Sequence, residues 1–278
     1  MSFERTSQDS ERQEMPKTLW SNEDFARFSI PEGNRPKLEK KLATILDLVR
    51  LSGPMGADIF EAVNAGNVRK LIFKDAVMDS VAPAGTLAFE AKTKEGYFLG
   101  FRESSLNEPD ISFALMRQVT HEAVHVRQHR DKPDLWKTSH PAYIKNYVNF
   151  EKEAFTDANE VMLRMMIQHT EKAEAALNRV VLFNETQMGR DLALSNDEGP
   201  ASLQAFEETL GRTGNVETSI KAARAATEEF FNTHHAEAYR QSAIEKLNGS
   251  VAPEPAPRRP HVDTSIPANF RTGPIVIR

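Results

Sequence analysis

Residues 121–125 read His-Glu-Ala-Val-His. Positions i and i+4 of a helix share one face, one turn apart, so His121 and His125 can offer two imidazoles to one ion from the same side. Glu122 lies about 80° round the helix from that pair. Its carboxylate then stands beside the ion rather than on it, where it can hold a water molecule. Zinc lowers the pKa of such a water, Glu122 takes the proton, and the resulting hydroxide attacks a carbonyl. The chemistry encoded here is metal-dependent hydrolysis. The chain has no cysteine, so thiolate ligands, disulfides and cysteine nucleophiles are excluded. A metal site must be completed by His, Asp or Glu.

Catalytic zinc takes three protein ligands and keeps a position open. Glu153 is the first choice for the third. It forms an i, i+4 pair with Asp157, so the two share a helical face. Glu153 can ligate zinc while Asp157 accepts a hydrogen bond from the far nitrogen of a ligand histidine and orients its ring. Glu160 extends the same face, which is also how a solvated acidic stripe reads. Glu151 is the alternative, although helical geometry turns it toward Ala154, Ala158 and Met162. Asp131, ten residues after His121, is a third candidate. It needs a glycine at position 128 for a sharp turn, and position 128 is Gln. His129 lies one turn beyond His125, too far along the helix to share the ion.

The pattern of His121-Glu122-Ala-Val-His125 with Glu153-Ala-Phe-Thr-Asp157 resembles the gluzincin metallopeptidases, and in style their small bacterial members. The resemblance spans about residues 97–157. It implies a zincin-like fold, zinc on His121, His125 and Glu153, Glu122 as general base and Asp157 as the outer partner. Two features depart from the family pattern. Twenty-seven residues separate His125 from Glu153, and Lys152 stands where an asparagine often precedes the ligand glutamate.

Peptide hydrolysis also needs a group to stabilise the developing oxyanion. Tyr143, Tyr147, His140, His234, His235 and Tyr239 are the candidates. Tyr143 is favoured because it lies between the two ligand motifs, with Tyr239 and His235 next. The β-prone run Tyr97–Arg102 precedes the motif helix. In zincin folds a strand so placed is the edge along which an extended substrate pairs.

The elements that must position these groups are mostly helical. Leu38, Leu42, Ile45, Leu46 and Val49 recur at helical spacing within 37–51, and Ser52-Gly53-Pro54 ends that helix. A short helix is expected at 57–65. Residues 86–91 and 97–102 read as a hairpin. Asp110 is a candidate N-cap for a helix from 111 to about 130. Pro141 opens a helical stretch that runs through 151–168, and further helices are expected near 171–184, 199–211, 216–231 and 235–247. The fold class is α+β, mostly helical, with a small sheet before the motif helix.

The sequence divides into a polar N-terminal arm (1–36), a metallopeptidase domain (37–250) and a C-terminal tail (251–278) that begins Val-Ala-Pro-Glu-Pro-Ala-Pro-Arg-Arg-Pro. A net charge of −5 gives no reason to expect nucleic acid or an anionic membrane surface as partner. No apolar run approaches the roughly 20 residues that span a bilayer. A cytoplasmic product is expected, with export by a specialised secretion route, as for a bacterial effector, as a variant carried by the tails. The expected function is zinc-dependent cleavage of a protein or peptide. The alternatives are a catalytically idle helical module that binds a partner, and a zinc amidohydrolase acting on a non-peptide substrate.

Overall fold

The computed structural model describes residues 35–65, 68–82, 86–93, 96–108, 111, 113–167 and 198–248. Residues 1–34 of the N-terminal arm, the C-terminal tail, Asp110 and the helix expected at 171–184 lie outside these residues, while Arg35 and Pro36, placed in the arm by the sequence, open the first helix. The elements are α1 (Arg35–Leu51), α2 (Pro54–Asn64), β1 (Val68–Phe73), α3 (Asp75–Val81), β2 (Ala88–Thr93), β3 (Gly96–Arg102) and α4 (Glu103–Asn107). Then come α5 (Phe113–Asp131), a 3-10 turn (Pro133–Trp136), α6 (Tyr143–Ile167), α7 (Glu198–Thr213), α8 (Val216–His234) and α9 (Ala236–Leu247). The protein is therefore mostly helical with a small three-stranded sheet. No helix among the described residues is long and apolar enough to cross a membrane.

Helix α5 carries the His-Glu-Ala-Val-His run and sits at the centre. It packs on α2, α6 and β2 at once. Its apolar residues Leu115, Met116, Val119, Ala123, Val124 and Val126 are all buried, and so are Arg117, Thr120, His125, Arg127, Gln128 and His129. A buried polar group is costly unless it finds a partner, so this helix forces its neighbours to supply donors and acceptors.

The predicted hairpin is present: β2 pairs antiparallel with β3. Strand β1 and helix α3 were not anticipated. In β1, Val68, Leu71, Ile72 and Phe73 carry the strand signal, but the run is only six residues long and includes Arg69 and Lys70. It pairs parallel with β3, giving the order β1-β3-β2. Strand β3 is thus central, bonded on both sides, and cannot be the edge that receives a substrate. The edge nearest α5 is β2, and α5 closes part of it. Gln118 accepts from the Leu87 N–H (3.1 Å) and donates to the Ala88 carbonyl (3.0 Å). Glu122 Oε2 accepts from the Glu90 N–H (2.9 Å).

Alternation in the sheet fills two cores. Ile72, Ala88, Leu99 and Phe101 join the main helical core, while Leu71, Phe73 and Phe98 pack with Met78 of α3 on the other face. Helix α1 buries its predicted stripe, Leu38, Leu42, Ile45, Leu46 and Val49, in the main core. The turn into α2 is made by Gly53 (φ 129°), and Gly56 brings α2 against the end of α1. A Cβ at position 56 would lie 1.9 Å from the Val49 carbonyl oxygen, a backbone atom that cannot swing aside. Gly56→Ala should therefore cost about 1–3 kcal/mol in chemical denaturation, the usual range for overpacking. Unchanged stability would show that α1 and α2 do not approach this closely.

Candidate metal centre

Helices α5 and α6 bring three donor atoms to one point. His121 Nε2 and His125 Nε2 are 3.2 Å apart, and the Glu151 Oε2 lies 3.5 Å from each. Zinc–nitrogen and zinc–oxygen bonds of about 2.0–2.2 Å in a tetrahedron put neighbouring ligand atoms roughly 3.3–3.6 Å apart. The spacing of the triad matches that figure. Two imidazoles and a carboxylate also form the donor set that a catalytic zinc prefers, so the residues present fit the ion.

The third member of the cluster is Glu151 and not the expected Glu153. The Glu153 carboxylate is held by Arg127 (3.0 Å) and Lys132 (3.3 Å). Asp157 does not reach a ligand histidine either; it receives Arg127 and, at 2.8 Å, Arg224. The Glu153–Asp157–Glu160 face is no solvated stripe. Asp157 and Glu160 are buried, and Arg224 and Arg164 complete an ion-pair ladder from α5 through α6 to α8. Glu151 lies instead on the Ala154–Ala158–Met162 face, which packs against α5. Asp131 is paired with Arg130 at the surface (2.6 Å). His129 is stacked between Tyr97 and Trp136, with its Nε2 3.6 Å from the Glu90 carboxylate, and takes no part in the triad.

The far nitrogen of His125, Nδ1, is 2.9 Å from Gln128 Oε1, and Gln128 Nε2 donates to the Phe150 carbonyl (3.0 Å). The spacing His125 to Gln128, one turn along the same helix, was the sequence signal for this partner.

Burial and charge shape the titration of the group. Burial lowers His121 to about 4. Burial also disfavours charge on His125, but Glu151, with Glu122 and Gln128, outweighs it and raises that ring to about 9. Burial pushes Glu151 upward, yet His125 and His121 hold it well below the usual carboxylate range. Burial raises Glu122 to about 8, against the pull of His125 and with help from the Glu151 and Glu90 charges.

Of the predicted oxyanion groups, Tyr143 is not brought to the triad. It packs beside Tyr147 and Ala243, with Trp136 between that cluster and His125. Tyr239 and His235 lie closer in kind. Both rings pack on Phe155 (5.9 and 5.7 Å), which itself contacts His121 (4.6 Å). Arg117, one turn before His121, was not singled out from the sequence. It donates to Asn159 (2.8 Å), lies over Phe155 and is in electrostatic contact with Tyr239 and His121.

Against known protein families, curated proteins and solved structures, the chain shows no match.

Two measurements test the geometry of the triad. Glu151→Gln should weaken zinc binding in equilibrium dialysis by more than the roughly 10–100-fold that loss of an outer partner costs, while Glu153→Gln leaves it nearly unchanged. The reverse ranking would restore Glu153 as ligand. A ligand imidazole must also be deprotonated. With His125 titrating at about 9 and Glu122 at about 8, zinc binding at neutral pH should release between one and two protons, and affinity should fall as pH drops below those values. Calorimetry in buffers of different ionisation enthalpy reads the protons directly, and a buffer-independent heat would contradict the assignment.

Proposed function

We propose that this protein is a zinc-dependent peptidase of gluzincin type, with zinc on His121, His125 and Glu151 and with Glu122 as general base. The observation that carries the reading is the convergent triad with the Glu122 carboxyl beside it. Zinc bound there supplies Lewis acidity toward a water molecule and a substrate carbonyl.

The rest is the work of the chain's own groups. The Glu90 N–H holds Glu122 Oε2, which leaves the second carboxylate oxygen to accept a proton. That free oxygen, beside the triad, is placed to take a proton from water and return it to a leaving amine. His121 and Glu122 are the less buried members of the group, so substrate enters from their side. On that flank Tyr239 is our choice for the oxyanion, with the buried Arg117 cation adding a favourable field.

A second reading draws on the burial of the triad, whose side chains are only 13%, 7% and 9% exposed. It makes the ion structural and the helices a partner-binding module. Glu122→Gln separates the two. The amide oxygen of this variant still accepts the Glu90 N–H, so the fold and the zinc should be kept. Hydrolysis of a broad peptide library should fall by about 10²–10⁴-fold, the share that general-base catalysis supplies. If the zinc-loaded wild type cleaves nothing in that library, the structural reading takes its place.

A further inference from the structure

We propose that Gln128 is the positioning residue of the metal centre, a single carboxamide that selects the donor nitrogen of His125 and sets Glu151 against it. The inference rests on the zinc reading above.

The chain of constraint starts at a backbone group. The Phe150 carbonyl can only accept a hydrogen bond, so the Gln128 side-chain nitrogen, 3.0 Å away, must be the atom that faces it. This fixes the amide orientation and turns Oε1 toward His125 Nδ1 at 2.9 Å. An amide oxygen only accepts, so Nδ1 carries hydrogen. The lone pair of His125 is then left on Nε2, the atom that faces His121 and Glu151. A carbonyl on α6 thereby determines which nitrogen on α5 is offered to the ion.

The same bond acts on the other ligand. Phe150 immediately precedes Glu151, so the clamp between α5 and α6 also sets how far Glu151 stands from the histidines. Gln128 is 1% exposed, and water cannot replace either bond.

Glutamine suits the position for a chemical reason. A carboxylate could accept from Nδ1 but could not donate to Phe150. An aliphatic side chain could do neither. A neutral acceptor also makes the imidazole less basic than a carboxylate partner would, which leaves the bound ion a stronger Lewis acid.

The test uses the full chain, stripped of metal and reloaded with zinc or Co²⁺. Gln128→Leu should keep its far-UV circular dichroism, lose 10–100-fold in zinc affinity by chelator competition, and shift the visible Co²⁺ spectrum. Gln128→Glu should recover part of the affinity through its acceptor alone. In the zinc-loaded wild type, ¹⁵N NMR of the imidazoles should place the proton of His125 on Nδ1, a readout that needs no variant to fold. If the wild type binds no zinc, the metal reading fails and this role falls with it. If the wild type binds zinc but Gln128→Leu binds it equally well, or His125 holds the ion through Nδ1, only the role of Gln128 is overturned.

Discussion

Three lone pairs aimed at one point repel each other, and only positive charge between them makes the arrangement favourable. That constraint governs the centre of this protein. His121, His125 and Glu151 sit with donor atoms 3.2–3.5 Å apart in surroundings that water hardly reaches. Without a metal, a proton on His125 does part of a cation's work, which is why its ring holds a proton so far above the ordinary histidine range. The packing of α5 on α6 is what forces the donors together, and the ladder of Arg127, Asp157, Arg224 and Glu160 binds those helices and α8 on an adjoining face.

Helix α5 has almost no solvent face, so it cannot follow the usual division into apolar and polar sides. Five of its polar residues are answered by two neighbours: Arg117, Arg127 and Gln128 by Asn159, Asp157 and Phe150 of α6, and Gln118 and Glu122 by the β2 edge. Partnered buried polar groups are highly specific in geometry because every misplacement leaves one unsatisfied. The precision of the triad is inherited from this arrangement.

His121, Glu122 and His125 were legible from the sequence because i, i+4 spacing is local and a helix converts it directly into geometry. The hairpin and most helices were legible for the same reason. Glu151 was passed over because helical geometry pointed it at Ala154, Ala158 and Met162, an apolar face. That face is buried against α5, which is where a ligand shared between two helices has to be. The acidic face chosen instead, Glu153 with Asp157, was drawn to arginines on α5 and α8, partners 26 to 67 residues distant in sequence. Strand β1 was missed because its pairing with β3 is nonlocal and its run is short. The substrate-edge role expected of residues 97–102 fails on topology alone, since strand order is not written in local pattern.

The closure of β2 by α5 has a consequence for the sheet itself. A strand edge grows by adding peptide units, each offering an acceptor and a donor in turn. The Gln118 carboxamide imitates one such unit, taking the Leu87 N–H and giving to the Ala88 carbonyl, and Glu122 supplies the next acceptor. Over residues 87–90 the sheet thus ends against side chains that mimic a fourth strand. Those edge groups are already paired and offer nothing to a further strand, so the residue proposed as general base also caps the sheet.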